Sequence, residues 1–184
     1  KPETKIVSIS QVQFLSGYRV ELEKIGKVCR EKGIIFCVDA IQGLGAVQLD
    51  VVKDCIDFIS CGTQKWMLGL QGLAFIYISK ELQEKLIPKY AGWLGVENAW
   101  SLLDYELRLK STADGLQTGT VSVIAIYALS ASLDLFNEFG WNQIEEKVIG
   151  NSKYFLNRLG EIGITTILKD CPDINLAGII SFKH

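Results

Sequence analysis

The 184 residues are 48% hydrophobic and 22% charged, the balance of a folded chain able to bury one sizeable core, which excludes intrinsic disorder. The formal net charge of -2, with lysines and arginines dispersed, supplies no basic field, so neither nucleic acid nor an anionic membrane is an expected partner. No apolar run approaches the ~20 residues needed to span a bilayer and the start has no signal-peptide pattern, so a cytoplasmic location is expected.

Lys5–Ser10 is a short apolar run suited to a buried strand, and Gly17 breaks the chain before a helical pattern. From Tyr18 to Lys32, Leu22, Ile25, Val28 and Cys29 recur at helical spacing, with Gly33 where a C-cap is expected. The next run, Ile34–Asp39, is apolar through five positions and ends on a carboxylate, as a parallel strand buried on both faces does. Strand, helix and strand make a βαβ unit. Residues 57–60 and 73–79 are further strand candidates, the second rich in β-forming side chains. Past residue 120 the period changes, and 121–136 and 141–160 each carry a helical stripe, separated by Gly140. Residues 164–168 and 178–182 are expected as the first strands of a further unit, with a boundary near 137–141. The chain begins with Lys directly before one strand-like run and stops just after another, so it reads as an excerpt of something longer.

In open α/β sheets ligands bind beyond the carboxyl ends of the strands, which draws attention to two segments. One is VDAIQGLG (38–45), where Asp39 ends an apolar strand; the other is CGTQKW (61–66), where Lys65 follows the next one. If the two strands are neighbours, acid and amine face one crevice. A structural ion pair is the plain reading of such a pair. The chemical one is pyridoxal-phosphate catalysis, in which a lysine amine forms the Schiff base and a carboxylate keeps the pyridine nitrogen protonated.

The order and spacing of KIVSIS, VDAIQGLG, CGTQKW, LGLQGLAFIYIS and LQTGT resemble the large domain of class V aminotransferases and cysteine desulfurases over roughly residues 5–140. The resemblance implies the type I pyridoxal-phosphate transferase fold. Its parts here would be a three-layer α/β large domain over 1–138, then a connecting helix and the start of a small C-terminal α+β domain over 139–184. It also implies roles residue by residue. Asp39 matches the acid at the pyridine nitrogen, Gln42 the residue bonding the phenolic oxygen, and Lys65 the Schiff-base lysine. Thr120 matches the threonine that reaches the phosphate in the neighbouring subunit, which implies a homodimer. Gln13 matches a polar residue that approaches the ring, Gln64 stands directly before the lysine, and Thr63 is expected to take over a phosphate contact.

The departures bear on the reaction. Gln64 and Gly62 stand where desulfurases hold histidine and serine, Gln11 replaces a family histidine, and Gln117 replaces an acid. Gln-Lys occurs in alanine–glyoxylate type members. The expected reaction is therefore transfer of an amino group from an amino acid to a 2-oxo acid, with cysteine desulfuration as the alternative and a non-catalytic relative as a further one. The family's phosphate-cradling turn and substrate-carboxylate arginine fall outside residues 1–184.

Three other features have plainer readings. Gly43 and Gly45 after a strand suggest a dinucleotide turn, but Gln48 occupies the place of the third glycine. The five cysteines (Cys29, Cys37, Cys55, Cys61, Cys171) form no CxxC pair and are expected as core or inert thiols, so no metal site is expected. Trp66, Trp93, Trp100 and Trp141 are expected to serve packing or an interface, Arg108 and Lys110 to be solvated, and His184 has no assigned role.

Overall fold

The computed structural model describes residues 1–103 and 106–183, so His184 lies outside the described residues. Strand β1 is Ile6–Ser10, β2 Ile35–Asp39, β3 Phe58–Gly62 and β4 Ala74–Ile78, in a sheet of order β1-β2-β3-β4. The first two pairings are parallel and the last is antiparallel. Helix α1 (Leu22–Glu31) joins β1 to β2, the crossover that parallel neighbours require. A one-turn α2 (Lys80–Gln83) follows β4, and the long helices α3 (Val123–Phe139) and α4 (Trp141–Glu161) come later.

Register assigns the side chains to faces. Ile9 aligns with Val38, Val38 with Ile59, and Cys61 with Phe75, so these residues share one side together with Phe36. Onto that side pack Leu22, Ile25 and Cys29 of α1 and Leu129 and Leu133 of α3. Phe36 is fully buried there, a position worth about 1.5–3 kcal/mol of transfer free energy. The other side, which includes Asp39 and Ser60, stays open, with Ile6 57% and Ile76 43% exposed. Of the three layers expected, the described residues therefore form the sheet and one helical layer.

Two expectations are corrected. The first helix starts at Leu22 rather than Tyr18, because the backbone before it is drawn into extended pairing: Arg19 N donates to Asn175 O at 2.9 Å and Val20 N to Gln11 O at 2.9 Å. Residues 164–168 and 178–182 form no strands; one antiparallel bridge, Thr166 to Phe182, joins them. The strand-like alternation is present, with Thr166 and Leu168 buried and Ile167 71% exposed, but a ladder needs neighbours at successive positions and turns interrupt it after one. Residues 41–46 form turns that lead into no helix, so the dinucleotide reading lacks the helix N-terminus that would hold a pyrophosphate.

The long helices meet at Gly140. Its φ of +82° suits a residue without Cβ, its N–H caps α3 on Phe136 O, and the two axes bend by 83° there. Trp141 stacks on Phe136 with ring centroids 4.7 Å apart and pins the corner. No single described helix is long and apolar enough to cross a membrane. After α4 the chain returns to the sheet unit: Ala177 packs with Val12 and Val47, and Ser152 Oγ donates to Ala177 O at 2.6 Å. Stretches 1–138 and 139–183 are thus in direct contact.

Candidate active site

The carboxyl ends of β1, β2 and β3 lie side by side. Ser10 aligns with Asp39 and Asp39 with Ser60, and Gln11 N donates to Asp39 O at 2.9 Å. Asp39 is exposed, and its Oδ1 accepts from Ile41 N at 3.0 Å, a local turn that holds the carboxylate at the strand end. The chain then bends back on itself, with Gly43 N donating to Ala40 O, which carries Gln42 over the same edge.

Lys65 lies three residues past the end of β3. The loop 63–73 touches the 42–45 turn directly: Gly45, at φ +101°, lies so close to Trp66 that a Cβ there would stand 2.3 Å from the Trp66 carbonyl oxygen. Gln64 folds back over Gly62, where a Cβ would meet Gln64 Oε1 at 2.6 Å and Ile41 Cδ1 at 3.0 Å. The segment that carries Asp39 and Gln42 and the loop that carries Gln64 and Lys65 thus adjoin at one edge. Gln13 lies on the adjoining exit of β1, and its Oε1 accepts from Ser16 N at 2.7 Å.

The hydrogen-bonding state of these groups sets them apart. Gln42 is only 9% exposed, yet its amide bonds no described residue. The Lys65 side chain is exposed and in no ion pair among the described residues. An acid with one oxygen to spare, a nearly buried amide and a free amine at one sheet edge have the donors and acceptors that pyridoxal phosphate would engage.

Two expected residues stand elsewhere. Thr120 is exposed on the segment leading into α3 and bonds none of these groups within the chain. Thr63 is fully buried, and its hydroxyl faces the carbonyls of Leu70 at 3.0 Å and Leu73 at 3.1 Å, inside the loop rather than toward the edge.

Beneath the edge, Cys61 is buried on the helix-covered side and its thiol is pushed up to about 11, first by burial and then by the Asp39 charge. Its role is packing. The other cysteines are free thiols as well, and no cluster of metal-ligating side chains occurs among the described residues. Trp93 and Trp100 meet edge to face at 5.0 Å, and Arg108 pairs with Glu106.

The model of the class-V aminotransferase family matches residues 1–184. The chain belongs to that family. It is 34% identical over 146 residues, 79% of its length, to the uncharacterized aminotransferase YcbU of Bacillus subtilis, of which it covers 38%. It is 29% identical over 97% of its length to a probable cysteine desulfurase of Pyrococcus abyssi, covering 44% of that protein. The apo structure of a cysteine desulfurase from Thermococcus onnurineus NA1 superposes with a TM-score of 0.87 at 25% identity, over 98% of this chain and 44% of that one. This class V chain therefore spans about two fifths of the length of the relatives it matches, and its family is one of pyridoxal-phosphate enzymes with the type I fold.

Two supports of this edge leave no mark in local sequence. Gly178 makes room for the Trp66 indole, whose Cη2 would stand 2.2 Å from a Cβ, and Ser132 on α3 donates to Leu68 O at 3.1 Å. Only an unexplained glycine and a mid-helix serine could have hinted at them.

Proposed function

We propose that this chain carries the cofactor centre of a pyridoxal-phosphate-dependent class V aminotransferase, which moves an amino group from an amino acid to a 2-oxo acid. The reading is supported by the β2–β3 edge, where Asp39 ends its strand with one carboxylate oxygen unused and the loop that carries Lys65 lies against the 42–45 turn that carries Gln42. Pyridoxal phosphate, when bound, supplies an electron-withdrawing ring that makes the α-proton of an amino acid removable. The Asp39 carboxylate would keep the ring nitrogen protonated by accepting a charge-assisted hydrogen bond from its N–H. The Gln42 amide orients the ring through its phenolic oxygen, with Gln13 and Gln64 beside it. Lys65 would hold the cofactor covalently, and its amine would serve as the base that takes and returns the α-proton. Thr120 is read as serving the phosphate of a partner subunit, which makes the enzyme a homodimer. Residues 1–138 are read as part of the large domain and 139–184 as the passage into a small one.

The second reading is cysteine desulfuration, favoured by the likeness to the Pyrococcus probable cysteine desulfurase and the Thermococcus cysteine desulfurase. Gln64 supports amino transfer, because an amide beside Lys65 cannot exchange a proton near neutral pH as histidine would.

The deciding experiment has two parts. Borohydride reduction of the cofactor-loaded protein followed by peptide mapping should place the label on Lys65; label on another lysine defeats the assignment. Alanine, glutamate or serine should then convert the bound cofactor to its pyridoxamine form. Production of alanine and persulfide from cysteine, with no pyridoxamine form from any amino acid, selects the desulfurase instead.

A further inference from the structure

The Lys65 amine has no side-chain partner among the described residues to steer it, so its direction depends on the backbone of loop 63–73. That loop leaves β3 after Gly62 and enters β4 at Ala74. Two backbone bonds draw its ends together: Thr63 N donates to Leu73 O at 3.1 Å and Gly69 N to Thr63 O at 2.8 Å. Between them Leu68 adopts φ +55°, a left-handed conformation that crowds a branched residue and persists only where its surroundings impose it.

Two buried hydroxyls bond the backbone at Leu68 and beyond it. Thr63, 0% exposed, shares its one proton between Leu70 O and Leu73 O, the return limb of the loop. Gly69 allows this approach, since a Cβ there would stand 2.7 Å from both Thr63 Cβ and Oγ1. Ser132, 8% exposed on α3, donates to Leu68 O at 3.1 Å, in competition with Ala128 O of its own helix at 3.0 Å. Leu68 N in turn donates to Lys65 O at 3.1 Å. A continuous path of bonds therefore runs from α3 through the left-handed residue to the lysine.

We propose that Thr63 and Ser132 are positioning residues for Lys65: their hydroxyls hold the Leu68 turn and thereby set the direction from which the lysine amine enters the cofactor site. This rests on Lys65 being the cofactor lysine. It gives Thr63 a task other than the phosphate contact suggested by its place in the motif, and it brings in Ser132, which no motif indicates.

The test uses the full-length protein and the variants Thr63→Val, Thr63→Ser and Ser132→Ala. Valine matches threonine in shape and lacks the hydroxyl, whereas serine retains it. In cofactor-free protein, Thr63→Val and Ser132→Ala should speed hydrogen exchange of the Leu68 and Gly69 amides by ~10-fold or more, because local opening is no longer opposed. In protein loaded with pyridoxal phosphate, both should move the pH midpoint of the cofactor's absorbance change by roughly 0.5 unit or more, since the ionisation of a lysine-linked group follows its placement. Both should leave the cofactor dissociation constant within ~3-fold, under 1 kcal/mol. Thr63→Ser should behave as the parent.

Ser132→Ala indistinguishable from the parent in exchange and midpoint overturns the proposal for Ser132. A dissociation constant raised ~10-fold in Thr63→Val with an unmoved midpoint overturns it for Thr63 and restores the phosphate contact. Borohydride label absent from Lys65 in the parent sinks the functional reading and with it the effect on the lysine, while the exchange rates still decide whether the hydroxyls hold the loop.

Discussion

Two polar clusters stand beyond the carboxyl ends of the strands, and they differ in how far their hydrogen bonds are satisfied. In one, Arg19 Nη1 meets Glu145 Oε1 at 2.5 Å and Arg19 Nη2 donates to Gln48 O at 3.1 Å. Gln48 N donates to Glu145 Oε2 at 2.9 Å, and the Gln48 amide reaches Asn142 Oδ1 at 2.7 Å. These side chains answer one another from within the chain. In the other, Asp39 takes one bond from its own turn, while the Gln42 amide and the Lys65 amine take none among the described residues. The first cluster ties α4 to the exits of β1 and β2. The second leaves its donors and acceptors to solvent or a ligand. Saturation distinguishes a clamp from a binding site more sharply than residue type does, since both clusters contain an acid, an amide and a base.

The contrast can be broken most forcefully at Asp39. Asp39→Asn should lower α-proton exchange on the order of 10²-fold or more, because a neutral amide cannot keep the ring nitrogen charged. It should leave borohydride labelling of Lys65 intact and stability within about 0.5 kcal/mol, as expected for an exposed side chain. Full exchange activity in that variant, followed by proton NMR of the substrate, removes Asp39 from the site.

Glu145→Ala should do the opposite. It strips a partner from both Arg19 and the Gln48 backbone, so chemical denaturation should record a loss of about 1–3 kcal/mol while the label on Lys65 persists. A loss of labelling in step with stability would merge the two clusters into one.

Acid titration sharpens the same point. Burial pushes the Glu145 carboxyl up, but the Gln48 N–H and the Arg19 guanidinium outweigh it and hold the group below its ordinary value of 4.5. A depressed folded value means that the ionised carboxylate stabilises the fold above the unfolded value of about 4.3 and that this contribution disappears as pH falls through the folded value. The stability difference between parent and Glu145→Gln should accordingly be flat above about pH 5 and shrink below it. A difference that stays constant down to the acid limit contradicts the assignment.

The smallest effect is expected outside both clusters. Lys153 and Asp173 pair at 2.8 Å with side chains 50% and 63% exposed, so Lys153→Ala should cost less than about 1 kcal/mol, and less still in salt. A larger loss would mean that the exposed pair takes part in holding the returning C-terminal segment.

How much of this was legible in the sequence follows from the range of each interaction. The βαβ unit was, because a buried parallel strand needs a continuous apolar run and α1 needs one apolar stripe, both written within a few residues. Asp39 and Lys65 were located as candidates for the same reason: each follows a readable strand. The start of α1 was misread because the partner of Arg19 N is Asn175, and the strand pattern of 164–168 was misread because alternation records which side chains are buried and not whether a ladder forms. Thr63 was placed by its motif near the cofactor, whereas its environment turned it inward.

The sequence by itself determined the order of elements as far as α4, the family and the chemical types that follow the second and third strands, since these depend on local periodicity and on a short motif. Only the tertiary structure decided which polar groups are answered. Arg19 and Glu145 are 126 residues apart, and Ser132 reaches Leu68 across 64. A hydrogen bond is formed in space, and neither partner carries a local sign of the other.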